Sequence, residues 1–596
     1  MIVEQFYLEG LGHASYLVGS EKTGEALLFD VRRDVDAYFD MARNHELRVT
    51  SVCDSHGHND YLSGLSEVSA RAGVDVWGSA EADLGYDHRP VGHGDRIEMG
   101  EVGIEVLHTP GHTPEHISLL LYDGDQGDEP AILLSGGALL VGDLARPDLL
   151  GDPEETEESA RQYCQMIQKT LLELPDHVLV YPTHVAGSLC GGSIGSRLST
   201  TVGYERRTNE ILSKVSSADE FVQSCLDLED LPAVPPYWRR MREQNLHGVD
   251  RLGTLSEPPA LTPEQIDDER DRDTWIIDCR SPEAYGGGHV PGAVNVGLGS
   301  SFATWVGTIL PEDAETVLVL DSPAGLWEAT WHLLRIGYPA PKGWLAGGMM
   351  AWRTTGRDID QLEQVTVHQL RDRLDEVDVL DVRQPAEWSS GHIDGATFIT
   401  GAELPQRLGD VPSSDRPLAV ICGSGYRSSV SASLISHEQP KRPILNVLGG
   451  MGAWNAAGHP HHQLKEPMTY TKTAVLDLPF SDAVERVKEA LGEQGFGVLT
   501  EIDLQTTMKD KLDVDIEPYI ILGACNPRLA HRALEADRSI GALLPCNVVV
   551  RSDGERTVVD ALDPGVMSSL APGLDAVASD AGELIDAALT DLSSDP

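Results

Sequence analysis

Apolar residues along this chain fall in short runs separated by polar turns. Ser15-Tyr16-Leu17-Val18 and Ala26-Leu27-Leu28-Phe29-Asp30 have the length and composition of strands, and the spacing from Val35 to Asn44 predicts a helix. Further strands are predicted at Val49 to Asp54, Val102 to His108 and Val178 to Tyr181. Prolines then break the pattern at Ala233-Val234-Pro235-Pro236-Tyr237-Trp238 and at Ser256-Glu257-Pro258-Pro259, where a linker is expected. Beyond it, buried strands at Thr316 to Leu320 and Leu418 to Ile421 alternate with helical stretches, the pattern of small parallel sheets. After Pro467, Ser481 is expected to cap a helix that buries Ala483, Val484, Val487, Ala490 and Leu491. Strands follow at Gly497 to Glu501, Tyr519 to Leu522 and Asn547 to Arg551, the last turning back through Ser552-Asp553-Gly554-Glu555.

The middle of the chain repeats itself. Ile277-Asp278-Cys279-Arg280-Ser281-Pro282 with Gly288-His289-Val290-Pro291-Gly292-Ala293 matches Leu380-Asp381-Val382-Arg383-Gln384-Pro385 with Gly391-His392-Ile393-Asp394-Gly395-Ala396. Both copies end in Gly-Gly-Met, at Gly347 and Gly449. The expected organisation is a multidomain α/β chain with segments 1–250, 258–360 and 361–465, closed by an α+β segment at 468–596.

Composition narrows the partners. The 596 residues carry 95 Asp+Glu against 45 Lys+Arg, a net charge of -50, while 41% hydrophobic residues supply ordinary cores. Such a field repels nucleic acid and anionic membranes, and acid spread over every segment suits high salt. The start lacks a basic region followed by an apolar run, so a cytoplasmic location is expected. Eight cysteines in a chain this long are too sparse for a disulfide framework and are read as thiols.

The first segment carries histidines at three strand ends. His56-Gly57-His58-Asn59-Asp60-Tyr61 follows one strand, Thr109-Pro110-Gly111-His112-Thr113-Pro114-Glu115-His116 another, and Pro182-Thr183-His184 a third. Imidazoles on separate loops can converge on one metal. The order HxHxD, TPGHTPEH, PTHVAGSLCG resembles the metallo-β-lactamase fold, an αββα sandwich, in the branch holding glyoxalase II and the persulfide dioxygenases.

The resemblance implies one divalent metal, Fe(II) or Zn(II), with His56, His58 and His112 as ligands and Asp60, Asp143 and His184 as further ligands or supports. It also implies substrate binding by Arg146 and by Tyr204 of the run Gly203-Tyr204-Glu205-Arg206-Arg207-Thr208-Asn209. Two positions depart from the family. Tyr61 stands where histidine is usual, and Gly137 stands where a metal-binding aspartate is usual, which disfavours a two-metal site. His116 is expected to support the site or start a helix, and His13, His45, His88, His93 and His108 to be structural or at the surface.

The second repeat carries the sharper signal. Its strand Leu418 to Ile421 runs into Cys422-Gly423-Ser424-Gly425-Tyr426-Arg427, with a helix expected from about Ser428. Converging backbone N–H groups, a helix N-terminus and Arg427 all favour a thiolate at Cys422. The two repeats resemble rhodanese domains, whose Cys-x4-Arg loop carries sulfane sulfur on the cysteine. In the first repeat the strand ends in Asp321-Ser322-Pro323-Ala324-Gly325-Leu326, with neither thiol nor arginine, and it is expected to be non-catalytic.

The last segment, with Gly523-Ala524-Cys525-Asn526-Pro527 and Leu544-Pro545-Cys546-Asn547-Val548, resembles the family called domain of unknown function 302. Together these features imply sulfane-sulfur metabolism: rhodanese-type transfer through Cys422 and Arg427 coupled to a persulfide-dioxygenase-like metal domain. The alternatives are a mononuclear zinc thioester hydrolase, or a non-catalytic scaffold carrying one active rhodanese. Expected partners are a low-molecular-weight thiol, a persulfide or thiosulfate. No nucleotide cofactor is expected, and a homo-oligomer is left open.

Overall fold

The computed structural model describes the chain apart from residues 150–152, 227–230, 271, 273, 462–470, 513, 554–555, 566–573 and 594–596. It divides into two compact units, Met1–Gln463 and Leu464–Pro596. Among the described residues no helix is long and apolar enough to cross a membrane.

The first segment of the larger unit packs two six-stranded sheets face to face. One is built in chain order from Ile2–Leu8 to Arg89–Val91, and the other runs from Arg96–Met99 to Thr200–Thr201. Alternation along the strands explains the layers. Tyr16, Val18, Leu27 and Phe29 face Val106, Leu119 and Leu134 between the sheets. The opposite faces of the same strands, at Leu17 and Leu28, meet Tyr38 and Val68 of the helices Asp36–Asn44 and Leu65–Ala72. Tyr163 and Phe221 cover the outer side of the second sheet. The result is an αββα sandwich whose metal-ligand loops all leave the same ends of the strands.

Each repeat forms a five-stranded parallel sheet, and the two sheets have the same order. The order is Ala260–Leu261, Gly343–Leu345, Thr316–Val319, Trp275–Asp278, Val294–Asn295 in the first, and Glu363–Val365, Ile444–Val447, Leu418–Ile421, Asp378–Asp381, Thr397–Phe398 in the second. In each, a buried aspartate holds an arginine two residues on in a forked ion pair, Asp278 with Arg280 and Asp381 with Arg383. The repeats touch through polar contacts: Ser429 Oγ meets Asn295 Oδ1 at 2.6 Å, and the Tyr426 hydroxyl donates to the Gly297 carbonyl at 2.8 Å.

The stretch between the two proline clusters is not all linker. Trp238–His247 is a helix, and Asn245 on it donates to the carbonyls of His58 and Tyr61 at 2.9 and 2.8 Å. It therefore clamps the His56–Tyr61 loop to the body of the sandwich.

The smaller unit is an antiparallel five-stranded sheet covered by the helices Phe480–Glu493 and Asp575–Ser593. Ala483, Val484, Val487, Ala490 and Leu491 are buried along one helix face. Ser481 is not the cap: Pro479 takes that position, because its extended backbone turns the chain into the helix one residue before Ser481's own predecessor is reached. Cys546–Asp553 and Arg556–Leu562 pair antiparallel, with the turn residues 554–555 and the expected boundary near Pro467 outside the described residues.

Candidate metal centre and Cys422 loop

His56 follows strand Arg48–Cys53, His112 follows Val102–His108, and His184 follows Leu179–Pro182. All three are buried, and one ring nitrogen from each lies within 4.8 Å of the others. The second nitrogens are occupied. His112 Nδ1 donates to the Arg146 carbonyl at 2.9 Å, and His56 Nδ1 meets Ser55 Oγ at 2.8 Å. His112 Nε2 then has no partner although it is buried, and His56 Nε2 and His184 Nε2 face each other at 3.4 Å. Burial holds His56 and His184 well below the usual imidazole pKa and His112 at about 4, so all three are neutral. Neutral nitrogens gathered without donors between them fit a metal ion, and three of them with an open position fit zinc.

The donor set differs from the expected His56, His58, His112: the structure gathers His184 and turns His58 away. Asp30 explains the difference. It ends strand Glu25–Phe29 in a left-handed conformation, φ 54°, and its buried carboxylate accepts the Ser55 N–H at 2.6 Å, Ser55 Oγ at 3.0 Å and the Thr183 hydroxyl. His58 Nε2 completes that shell at 3.1 Å. Burial alone would depress His58, but the Asp30 carboxylate outweighs it and raises the imidazole to about 9, so His58 is a cation paired to Asp30. Tyr61, where the family has histidine, donates its hydroxyl to the Asp30 carbonyl at 3.2 Å.

Carboxylates stand beside the three histidines without joining them. At Gly137 a Cβ would lie 2.7 Å from the His112 ring, and the Gly137 N–H donates to His116 Nε2 at 2.8 Å. Asp143 is engaged elsewhere: its oxygens accept the N–H groups of Leu144 and Ser193, each at 2.8 Å. Asp60 lies 3.7 Å from His184 Nδ1 with both oxygens unpartnered, and burial raises its carboxyl to about 6. It stands on the Nδ1 side of the His184 ring, away from the nitrogen that faces the other histidines, and the hydrogen-bond partner of that Nδ1 is Ser188 Oγ at 3.5 Å. Among the described residues the groups that could hold a metal are His56, His112 and His184 and, separately, Asp30, Asp54 and His58; neither is the two-histidine, one-carboxylate set suited to Fe(II).

A cavity of 830 Å³ is lined by Asn59, Arg146, Trp238 and Arg242; Arg146, whose carbonyl holds His112, connects it to this centre, and none of the three histidines lines it. Arg146 forks onto Asp148 at 3.0 and 2.7 Å. Tyr204 is exposed under Arg197 and does not line the cavity. Its neighbours Glu205 and Asn209 do structural work: Glu205 accepts the Gly142 N–H and Asn209 donates to the Asp143 carbonyl, locking that loop. Of the two roles expected for His13, structural or at the surface, its burial fits the first, with Nε2 at 2.9 Å from the Asp30 carbonyl. Burial pushes the thiols of Cys53 and Cys190 well up, which removes them as nucleophiles. Asp30, Asn245 and Glu115, which accepts the Gly57 N–H at 3.0 Å, are shaping residues that sequence motifs did not mark.

In the second repeat Cys422 directly follows strand Leu418–Ile421, and helix Tyr426–Glu438 begins behind the loop. Gly425, at φ 108°, donates its N–H to Cys422 Sγ at 3.1 Å. Arg427 is held by Glu387 through two contacts of 2.6 and 2.7 Å and lies against the thiol side of the loop. Glu387 belongs to the motif that starts the repeat.

The first repeat is aligned by strand register. Val317 takes the place of Ala419 and Gly343 that of Leu445, with no insertion between. The thiol position is therefore Leu320, not Asp321, and Arg427 and Glu387 correspond to Gly325 and Ala284. The strand stops at Val319, so Leu320 follows it as Cys422 follows Ile421, and Asp321 lies one residue beyond the thiol position. That repeat's helix Leu326–Arg335 instead binds the sandwich: Arg335 forks onto Asp34 at 3.0 and 2.6 Å, and its carbonyl accepts the Leu62 N–H at 2.7 Å.

The larger unit is thus an αββα sandwich with a three-histidine cluster, joined to two parallel-sheet repeats of which the second has cysteine and arginine in its loop and the first has leucine and glycine there. The chain belongs to the metallo-beta-lactamase family. It covers 98% of a metallo-beta-lactamase of Staphylococcus aureus subsp. aureus COL at 35% identity, over 58% of its own length, with a TM-score of 0.52. It is 30% identical to a hydroxyacylglutathione hydrolase-like protein of Mus musculus over 227 residues, 37% of this chain and 70% of that one. It is 25% identical to the mitochondrial persulfide dioxygenase ETHE1 of Mus musculus over 224 residues, 37% of this chain and 77% of that one. The rhodanese-like domain family matches residues 262–355 and 366–457, and the domain of unknown function DUF302 matches 471–592.

Proposed function

We propose that the chain is a sulfurtransferase of sulfane-sulfur metabolism whose first domain processes the persulfide made by its second rhodanese repeat. The observation that carries this reading is Cys422 in its loop, with the Gly425 N–H 3.1 Å from sulfur and Arg427 braced by Glu387. With thiosulfate, the Cys422 thiolate attacks the outer sulfur, a Cys–S–S⁻ bond forms, and the S–S bond of the donor breaks to release sulfite. Arg427 balances the anionic donor, and the N–H of Gly425 holds negative charge on sulfur. A low-molecular-weight thiolate then takes the outer sulfur and leaves as R–S–SH.

In the first domain His56, His112 and His184 would hold one divalent metal, with Asp60 behind His184 and the Arg146 carbonyl fixing the tautomer of His112. When bound, the metal supplies Lewis-acid or redox chemistry to a thiol-derived substrate. The likeness to the persulfide dioxygenase of Mus musculus supports persulfide as that substrate. Three neutral nitrogens without a carboxylate favour a second reading, a mononuclear zinc thioester hydrolase.

Metal analysis of natively purified chain, with O₂ uptake and sulfite release measured on adding glutathione persulfide, decides between them. Iron with O₂ uptake supports persulfide oxidation, and zinc with thioester turnover and no O₂ uptake supports the hydrolase. Cys422→Ser abolishes thiosulfate:cyanide transfer; full retention would refute the role of Cys422.

A further inference from the structure

A second cavity, of 440 Å³, is walled by all three parts of the larger unit: Tyr7 and Leu189 of the sandwich, Trp305 of the first repeat, and Gln384 and Arg427 of the second. Pro235 and Ala402 line both this cavity and the 830 Å³ cavity lined by Arg146. The two spaces are thus neighbours across a threshold of two small side chains. One end carries Arg427, next to the buried Cys422. The other carries Arg146, Arg239 and Arg242. Arg146 is held by Asp148 and Arg242 by Glu115, while Arg239 is exposed and has no ion-pair partner among the described residues. Asp148, Glu243 and Glu403 line the larger cavity with these arginines and Glu9 lines the smaller with Arg427, so carboxylates and guanidiniums are equal in number; in a chain of net charge -50 a passage without net negative charge is a local departure, in which Arg239 is left to meet an anion.

We propose that the two cavities act as one passage, along which an anionic low-molecular-weight thiol carries the sulfane sulfur of Cys422 to the three-histidine centre without release to solvent. This rests on the sulfane-sulfur reading above. The transfer balances without a redox partner. The thiolate R–S⁻ attacks the outer sulfur of Cys422–S–SH, a new S–S bond forms, the old one breaks, and its electron pair returns to Cys422 Sγ, giving R–S–SH. The passage also accounts for the first repeat. Its Trp305 side chain lies so close to Gly401 that a Cβ there would fall 2.4 Å from the ring, so this thiol-free copy serves as a wall.

The test compares the full wild-type chain with an equimolar mixture of Cys422→Ser and His112→Ala chains, each given thiosulfate and glutathione. Retained thiosulfate:cyanide activity establishes that the His112→Ala chain is folded. Wild type should form final product without a lag, whereas the mixture should show one while free persulfide accumulates. Ala402→Trp, which fills the threshold, should introduce the lag into the wild-type chain. Calorimetry on metal-stripped protein gives a reading independent of turnover: Ala402→Trp should weaken S-methylglutathione binding by about 10-fold or more. Equal lags in wild type and mixture, or unchanged S-methylglutathione binding in Ala402→Trp, would overturn the passage. Failure of wild type to consume added glutathione persulfide would overturn the underlying reading, and the passage with it; that assay is separate and identifies which has failed.

Discussion

The two rhodanese-like repeats share a sheet order, a forked Asp–Arg pair and a stacked ring on a histidine, Tyr285 on His289 and Trp388 on His392. They differ at four aligned positions that act together. Cys422, Gly425, Arg427 and Glu387 of one correspond to Leu320, Pro323, Gly325 and Ala284 of the other. The substitutions are chemically coherent. Leucine removes the nucleophile, proline has no N–H to give a sulfur, and the loss of arginine leaves no role for its glutamate. A scaffold can keep its fold while a chemical loop is dismantled as a set, because the sheet core and the loop draw on different residues. What the vacated repeat gains is adhesion, through Arg335 to Asp34 and through Asn295 to Ser429.

The largest effect that tests this contrast is Cys422→Ser. Thiosulfate:cyanide transfer should fall by roughly 10³-fold or more, since no second repeat can substitute. Next, the loop can be transplanted. In a Cys422→Ser background, installing Leu320→Cys, Gly325→Arg and Ala284→Glu should leave transfer near background, and adding Pro323→Gly should raise it by about 10²-fold, the value of one anion-stabilising N–H donor. Equal activity with and without Pro323→Gly would remove the argument from the Gly425 N–H. In the sandwich, Asp60→Asn should weaken divalent metal binding by about 10-fold, read by chelator competition, while transfer through Cys422 is unchanged.

The smallest effect concerns pH. Burial pushes the Glu387 carboxyl up, but its forked contact with Arg427 more than offsets that and holds it below the usual value. A depressed carboxylate contributes its stability fully above the pKa it has when unfolded, about 4.3, and loses it as pH falls through the lowered folded value. Glu387→Ala should therefore reduce stability by about 0.5–1 kcal/mol at pH 7, discounted for partial exposure, and make no difference well below pH 4. Denaturant midpoints at the two pH values measure it. No counterpart is expected at Ala284.

Much of this molecule is legible in its residues. Short apolar runs, the repeat of Asp-x-Arg with Gly-His, and a cysteine following a buried strand before glycines and arginine each arise from local rules of backbone geometry and charge. They are short-range, so they survive as patterns. His56 and His112 were legible as candidate ligands because each sits in a motif of its own, and both belong to the group that could hold a metal. His184 was marked only as a support, and His58 as a ligand, because their roles depend on which carboxylate lies beneath them. That carboxylate is Asp30, brought to His58 from another strand and to Thr183 from the other sheet.

The register that moved the vacated thiol position to Leu320 likewise needed the strand pairing of Trp275–Asp278 with Thr316–Val319. The sequence by itself determined the domains' kinds, the position of Cys422 before its glycine-rich loop and Arg427, and the absence of an aspartate at Gly137. Only the tertiary structure decided which three imidazoles converge, what braces Arg427, and that Pro235 and Ala402 stand between two cavities. Those outcomes are set by contacts between residues far apart in the chain, where burial turns a small difference in position into a choice of protonation state, donor or partner.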